Sequence, residues 1–258
     1  MSDGGIALPR RAMLLAAGRG TRLRPLTDQV PKCMVPVHGT PVLARNIAWL
    51  RRFGVTDLVI NLHYRPQAVI DYFGDGAAWG VRITYSLEEE LLGTAGAVKR
   101  VADFFQGEPF FLWYGDNLSA CDLRRLYALH HRRGSLATVA LFYREDPTAS
   151  GIVGLDADGR IRRILEKPRP DQIFSHWVNA GIFVLEPQLL DMIPPGVSDF
   201  GHDVLPDLLA AGAPLYGYHL SAAEGLWWID TPADLERIQR EFALREASLP
   251  GMEYARQK

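Results

Sequence analysis

The chain has 258 residues, 48% of them hydrophobic, and a formal net charge of −2. That suits one large α/β domain, or a domain with a modest appendage, with enough apolar residues for a sizeable core. The near-neutral balance gives no electrostatic reason to expect nucleic acid or an anionic membrane as partner, and two cysteines make no disulfide scaffold, so a reduced, cytoplasmic setting is expected.

The polar start "MSDGGIALPRR" leads into an apolar run too short to span a bilayer. Because that run enters a glycine loop directly, it reads as a buried strand of a soluble protein. "TPVLARNIAWLRRFG" has apolar residues at helical spacing and closes on Gly54, as a helix C-terminus would. "DLVINLHY" follows as a buried strand, "QAVIDYFGDG" as a short helix and "VRITYSLE" as a strand. "LLGTAGAVKRVADFF" places a Gly-Thr-Ala-Gly turn at the head of a helix, and "PFFLWYGDN" is an apolar strand ending at Gly115-Asp116-Asn117. This alternation predicts a mostly parallel sheet with helices on both faces.

Past "LRRLYALHHRRG", whose basic end reads as a solvated helix terminus, the rhythm changes. "LATVALFYRE" is a strand, and "GIVGLDADGRIRRILEKP" is a hairpin turning at "DADG". "WVNAGIFVLEP" is a strand leading into the short helix "PQLLDMI". "VLPDLLAAG" is helical, "PLYGYHLS" extended and "EGLWWID" a strand. "TPADLERIQREFALREA" has Thr231 as N-cap and Pro232 at the first helical position. No repeat, low-complexity linker or clear second domain is visible, so the later half is expected to add a substrate-facing layer to the same sheet. The expected limits are a polar tail over residues 1–12, one domain over 13–245 and a C-terminal tail over 246–258.

The loop "LLAAGRGTRLRP" is built to hold phosphate, and two familiar phosphate loops do not fit it. A P-loop needs a lysine followed by Ser or Thr after its second glycine, and none is at that spacing. A dinucleotide fingerprint begins with Gly18 and Gly20, but Leu23 replaces the third glycine, and no acidic residue stands in "VHGTPVLA", where the ribose ligand belongs. Gly18 and Gly20 leave backbone N–H groups open to an anion, Thr21 adds a hydroxyl, and Arg22 and Arg24 bring guanidinium forks. In "VPKCMVPVHGTP", Pro31 and Pro36 stiffen the segment and Lys32 adds a point charge. Several fixed cations around one glycine loop suit a triphosphate whose pyrophosphate end must leave with its charge neutralised.

Other residues carry signals of their own. Asp116 ends an apolar strand, so it reaches the crevice beyond the strand carboxyl ends, where a carboxylate suits Mg2+. Asp230 closes "GLWWID" just before a helix, and it reads equally as a neighbour of the helix cap. The turn at Gly93 and Thr94 offers backbone to a nucleobase or ribose, with Glu90 just before it. Glu166 and Lys167 are adjacent, so they share one site only where the strand bends, as Pro168 allows. Asn179 is polar within an apolar strand and needs a partner, for which a sugar hydroxyl is suitable. His38, His63 and His202 lack metal-ligand spacing, neither cysteine belongs to a zinc set, and no serine-nucleophile elbow exists.

"LAAGRGTRLRPLT" with "VPKCMVPVHGTPVL" resembles the signature of the sugar-1-phosphate nucleotidyltransferases. The likeness runs from about Met13 to Phe242 and returns in order at "EEELLGTAGAV", "YGDN", "EKP", "NAGIFV" and "WWIDTPADL". It implies a Rossmann-like three-layer sandwich and transfer of a nucleotidyl group from an NTP to a sugar 1-phosphate. Arg22, Lys32 and Asp116 would then be catalytic, and Asp116 and Asp230 would share Mg2+. Leu15, Ala16, Ala17, Gly18, Gly20, Thr21, Glu90, Gly93 and Thr94 would bind the nucleotide. Gly151, Glu166, Lys167 and Asn179 would bind the sugar phosphate. "SLEEELLGTAG" is similar to mannose-1-phosphate guanylyltransferases, which favours GTP with mannose- or heptose-1-phosphate over UTP or dTTP. No hexapeptide-repeat β-helix follows "WWIDTPADL", so a minimal catalytic unit, monomer or homodimer, is expected. A nicotinamide-dependent dehydrogenase lacks its third glycine and ribose acid here, and a non-catalytic sensor on the same fold would be expected to have lost Lys32 or an aspartate.

Overall fold

A computed structural model describes residues 6–246. Its first strand, β1 (Arg11–Leu15), is followed by a loop of 3-10 turns, the short pair β2 (Pro36–Val37) and β3 (Thr40–Pro41), and α1 (Val42–Arg52). Then come β4 (Asp57–Leu62), α2 (Pro66–Phe73), β5 (Arg82–Leu87), α3 (Gly93–Arg100), β6 (Phe110–Tyr114), β7 (Asn117–Ser119) and α4 (Leu123–Arg133). The second half holds β8 (Ala137–Tyr143), β9 (Gly151–Leu155), β10 (Ile161–Glu166), β11 (Trp177–Leu185) and α5 (Leu189–Met192). A π-turn over Phe200–Val204 runs into α6 (Leu205–Ala210), before β12 (Leu215–His219), β13 (Leu226–Trp228) and α7 (Pro232–Glu246).

Nine strands form one sheet. β1 pairs in parallel with β4 and β6, and β4 with β5. β11 is antiparallel to β6, β8 and β9, β12 is parallel to β8, and β10 is antiparallel to β9. Only β10 and β11 therefore oppose the common direction, so the sheet is mixed and mostly parallel. Its inner strands β1, β4, β6, β8 and β11 are largely buried apolar runs because both faces are covered, whereas the edge strands β5 and β10 expose polar residues. Ala12 and Leu14 of β1 face one core cluster with Leu43, Ile47, Val69 and Leu126 from α1, α2 and α4. Met13 faces another with Val98, Leu189, Phe200 and Leu208 from α3, α5, the π-turn and α6. Helices on both faces of one sheet make the expected three-layer sandwich.

Local signals explain the boundaries. α1 buries Leu43, Ile47 and Leu50 at helical spacing and ends before Gly54, whose φ of +83° is the left-handed conformation that stops a helix. Asp122 accepts from the backbone N–H groups of Arg124 and Arg125 and caps α4. Asp234 N–H donates to Thr231 Oγ1 and Thr231 N–H to Asp234 Oδ2, so Thr231 caps α7 as expected. β1 begins at Arg11, inside the stretch expected as a tail, while residues 1–5 and 247–258 of the two expected tails lie outside the described residues. Cys33 and Cys121 are both buried free thiols. No helix among the described residues is long and apolar enough to cross a membrane.

One expectation is corrected. In "HHRRG", Arg132 and Arg133 are exposed, but His130 is 1% exposed, with Nδ1 at 2.9 Å from Thr138 Oγ1 and Nε2 at 3.0 Å from Glu186 Oε1. It belongs to the inner face of α4 rather than to its solvated end.

A smaller cluster of Leu23, Val35, Val42, Leu118, Trp227 and Ile238 lies under the glycine loop and fastens α7 and the β7–β13 pair to it. Behind β13, Glu224 is 5% exposed and accepts hydrogen bonds from Ser221 N–H, Ser221 Oγ, Asp122 N–H and Tyr218 OH. Burial works to raise its carboxyl, but the bonds from Ser221, Asp122 and Tyr218 prevail and hold it below the usual glutamate value. Glu224→Gln is expected to lower stability at pH 7 by about 1–3 kcal/mol, because an amide N–H2 would then face donors. A group held low in the fold contributes stability above its unfolded value of about 4.3 and loses it as pH falls through the lower folded value. Urea titrations at pH 7 and pH 3 should therefore show the variant's deficit shrinking at the acid end.

Candidate active site

The strand carboxyl ends open into a cleft with two adjoining lobes that share Lys32, Thr94, Tyr114, Asp116 and Asp199. The first lobe is lined by Leu15, Ala16, Ala17, Gly18, Gly93 and Thr94, all expected at the nucleotide. Asn61, Glu88 and Leu91 complete its wall. Ala16 N–H donates to Asn61 Oδ1 at 2.8 Å, Asn61 Nδ2 to Glu88 Oε1 at 2.8 Å, and Leu92 N–H to Glu88 Oε2 at 3.1 Å. Glu88 is 5% exposed. Glu90, expected here, is exposed and lies outside the lining of both lobes, because the chain has left β5 and only Glu88 meets the Asn61 amide.

The glycine loop governs Lys32. Gly20 has φ +65°, and a Cβ there would sit 2.7 Å from Lys32 Cβ, so only glycine lets the lysine stem pass. Thr21 is exposed and opens a 3-10 turn outside both linings, and Arg24 turns away to pair with Asp28 at 3.1 Å. Lys32, 8% exposed, places Nζ 2.6 Å from Asp116 Oδ2 and 2.6 Å from Asp230 Oδ1. Arg22 Nη2 lies 3.1 Å from the same Asp230 oxygen. Residues distant in sequence thus meet in one cluster of alternating charge where the lobes join. Burial works against the ammonium of Lys32, yet Asp116 and Asp230 outweigh it and raise its pKa, so the lysine is charged at neutral pH. Burial likewise works to raise Asp230, and Lys32, Arg22 and Arg144 together hold it below its ordinary value.

Asp116 and Asp230 converge on a single cation position, filled by the lysine ammonium. Among the described residues no group of three or more His, Cys, Asp or Glu surrounds a metal position. Two carboxylates suit Mg2+, which keeps several waters and takes its remaining oxygens from substrate phosphates.

The second lobe gathers Gly151, Glu166, Lys167 and Asn179, as expected for the acceptor, with Arg22, Arg144, Gly201, His202 and Trp228. Lys167 has φ +46° just before Pro168, so the strand bends there and the adjacent Glu166 and Lys167 both line the lobe. Gly201 presses on Glu166, where a Cβ would lie 2.6 Å from Oε2. Burial raises the Glu166 carboxyl against the opposing pull of His202 and Lys167. Asn179 sits at a register shift in β11 and accepts from Gly181 N–H at 2.8 Å, which leaves its amide N–H2 for a ligand. Bulges of this kind re-aim side chains beside active sites. Asp199 joins the lobes, accepting from Thr94 Oγ1 at 2.8 Å.

Residues 11–239 match the nucleotidyl transferase family. The chain belongs to that family. It is 32% identical over 262 residues to a UTP–glucose-1-phosphate uridylyltransferase of Synechocystis, covering 94% of this chain and 66% of the relative. It is 36% identical over 248 residues to a mannose-1-phosphate guanylyltransferase of Mycobacterium tuberculosis, covering 93% and 67%. The chain thus spans about two thirds of the length of these relatives. The structure of HddC from Yersinia pseudotuberculosis matches with a TM-score of 0.77 at 24% identity, over 90% of this chain and 99% of that one. A UDP-glucose pyrophosphorylase complexed with UDP-glucose matches at 0.79 and 18% identity, over 92% and 99%. At those identities the two structures establish a shared fold.

Proposed function

We propose that this member of the nucleotidyl transferase family joins an NTP to a sugar 1-phosphate, giving an NDP-sugar and pyrophosphate. The observation that carries the reading is the meeting of Lys32, Arg22, Asp116 and Asp230 between two lobes, one walled largely by small and apolar residues with Asn61 and Glu88, the other mostly by polar and charged residues. A phosphate monoester is nucleophilic at neutral pH, so the protein's work is positioning and charge neutralisation. An oxygen of the sugar phosphate attacks the α-phosphorus in line. The new P–O bond forms as the bond to the β-phosphate oxygen breaks, and its electron pair leaves with pyrophosphate. No proton is abstracted and no covalent enzyme intermediate forms. Lys32 polarises the α-phosphate and Arg22 neutralises the leaving pyrophosphate. Asp116 and Asp230 would hold Mg2+, which supplies Lewis-acid neutralisation of phosphate oxygens. Lys167 takes the incoming phosphate, and Glu166 and Asn179 the sugar hydroxyls. The first half of the chain binds nucleotide and the second half sugar phosphate, in a cytoplasmic protein acting as a monomer or homodimer.

We take GTP as the nucleotide and mannose- or heptose-1-phosphate as the acceptor. Support for the base comes from Glu88, an acceptor-only carboxylate in the nucleotide lobe. Guanine offers two neighbouring donors, N1–H and N2–H2, whereas uracil and thymine flank one N–H with carbonyl oxygens that a carboxylate repels. A pyrophosphate-release panel of GTP, UTP and dTTP against mannose, heptose and glucose 1-phosphates should give its fastest rate with GTP. Glu88→Gln should narrow the preference. Faster release with UTP or dTTP would refute the base assignment alone.

A further inference from the structure

Of the four lysines and arginines lining the cleft, two are matched by carboxylates, Lys32 by Asp116 and Asp230 and Arg22 by Asp230. Arg144, like Lys167, lines the acceptor lobe with no carboxylate within ion-pair distance among the described residues; its pull on Asp230 acts at longer range. Its guanidinium lies 4.1 Å from the centre of the Trp228 ring, and Nη1 donates to Ser150 Oγ at 3.0 Å. Its backbone is fixed as well, with the N–H donating to His176 O at 2.9 Å and the carbonyl 3.0 Å from His176 Nδ1. The backbone carbonyl of Ser150 in turn accepts from Lys167 N–H at 3.1 Å. Ser150 therefore links the two cations of the lobe, through its side chain on Arg144 and its main chain on Lys167. Stacking on Trp228 and the bond to Ser150 use one face and one N–H of a group with five donors, so a fork is left for a ligand.

A phosphate monoester, with its second pKa about 6, carries close to two negative charges at neutral pH. Lys167 alone would leave one of them uncompensated. We propose that Arg144 is a second anion-binding residue of the acceptor lobe, completing with Lys167 a seat for the dianionic phosphate of the sugar 1-phosphate. The proposal rests on the activity proposed above, and Arg144 acts in it by direct contact with substrate.

The test is Arg144→Gln, with Arg144→Lys as the conservative partner. With the best NTP and sugar pair, Arg144→Gln is expected to raise KM for the sugar 1-phosphate about tenfold or more, the usual scale for a charge-assisted contact. KM for the NTP should stay near the wild-type value, and Arg144→Lys should recover part of the loss. A purely structural role would move both KM values together. Calorimetric titration with inorganic phosphate, without nucleotide, should show the same weakening in Arg144→Gln and in Lys167→Gln. That arm needs no turnover, so it judges Arg144 even where every substrate pair fails and the proposed activity falls. An unchanged KM for the sugar 1-phosphate in an active enzyme, or unchanged phosphate binding, would overturn the assignment.

Discussion

Lys32→Ala is expected to cut kcat by about 10²–10³-fold, the scale of losing one preorganised donor at a centre of developing charge. The fold should survive, because Lys32 lies at a loop between Pro31 and Cys33 and carries no strand pairing. The lysine also has a second effect that a spectator would lack. Its ammonium stands between Asp116 and Asp230 at 2.6 Å from each, and its removal leaves two carboxylates facing one another. Like charges so placed repel, and a divalent cation relieves them. Mg2+ should therefore raise the melting temperature of Lys32→Ala more than that of the wild type. Near-normal turnover would remove Lys32 from the mechanism. A Mg2+ response no greater than wild type would show that the carboxylates do not converge in solution.

Asp116→Asn carries the second largest expected loss, again about 10²–10³-fold in kcat, with a higher Mg2+ concentration needed for half-maximal rate. Asparagine keeps an oxygen that accepts from Lys32 but gives up the charge, so stability should change little. Rates measured across a Mg2+ series separate the two contributions. Loss of affinity shifts the midpoint, whereas loss of electrostatic stabilisation lowers the plateau. Wild-type rate and midpoint in this variant would show that Asp116 serves only as a partner for Lys32.

How much of this was legible in the sequence varied with the kind of signal. Asp116 stands where an apolar run stops, and a strand end in an open sheet points to the crevice, so its position could be read directly; Asp230 read equally as a neighbour of the helix cap, and only the family resemblance paired it with Asp116. Lys167 was recoverable because Pro168 suggested the bend that its φ of +46° confirms. Asn61 carried the same mark as Asn179, an amide inside an apolar run, yet its meaning depended on Glu88, a residue 27 positions away. Among Glu88, Glu89 and Glu90 no periodicity chooses, since β5 ends at Leu87; the donor on the neighbouring strand does. Arg144 and Asp199 gave no local signal at all. One is an arginine after a strand and the other a loop aspartate, and only the placing of β8, β11 and the π-turn brings them to the cleft. His130 was misread because its basic neighbours hid a helix face turned to Thr138 and Glu186.

The most direct test of the central claim is the stoichiometry of pyrophosphate release. Purified protein, Mg2+ and a single NTP should release none until a sugar 1-phosphate is added. Release should then match NDP-sugar formed one for one, and Lys32→Ala should remove both together. Pyrophosphate appearing without an acceptor, or no release with any NTP and sugar 1-phosphate pair, would contradict it.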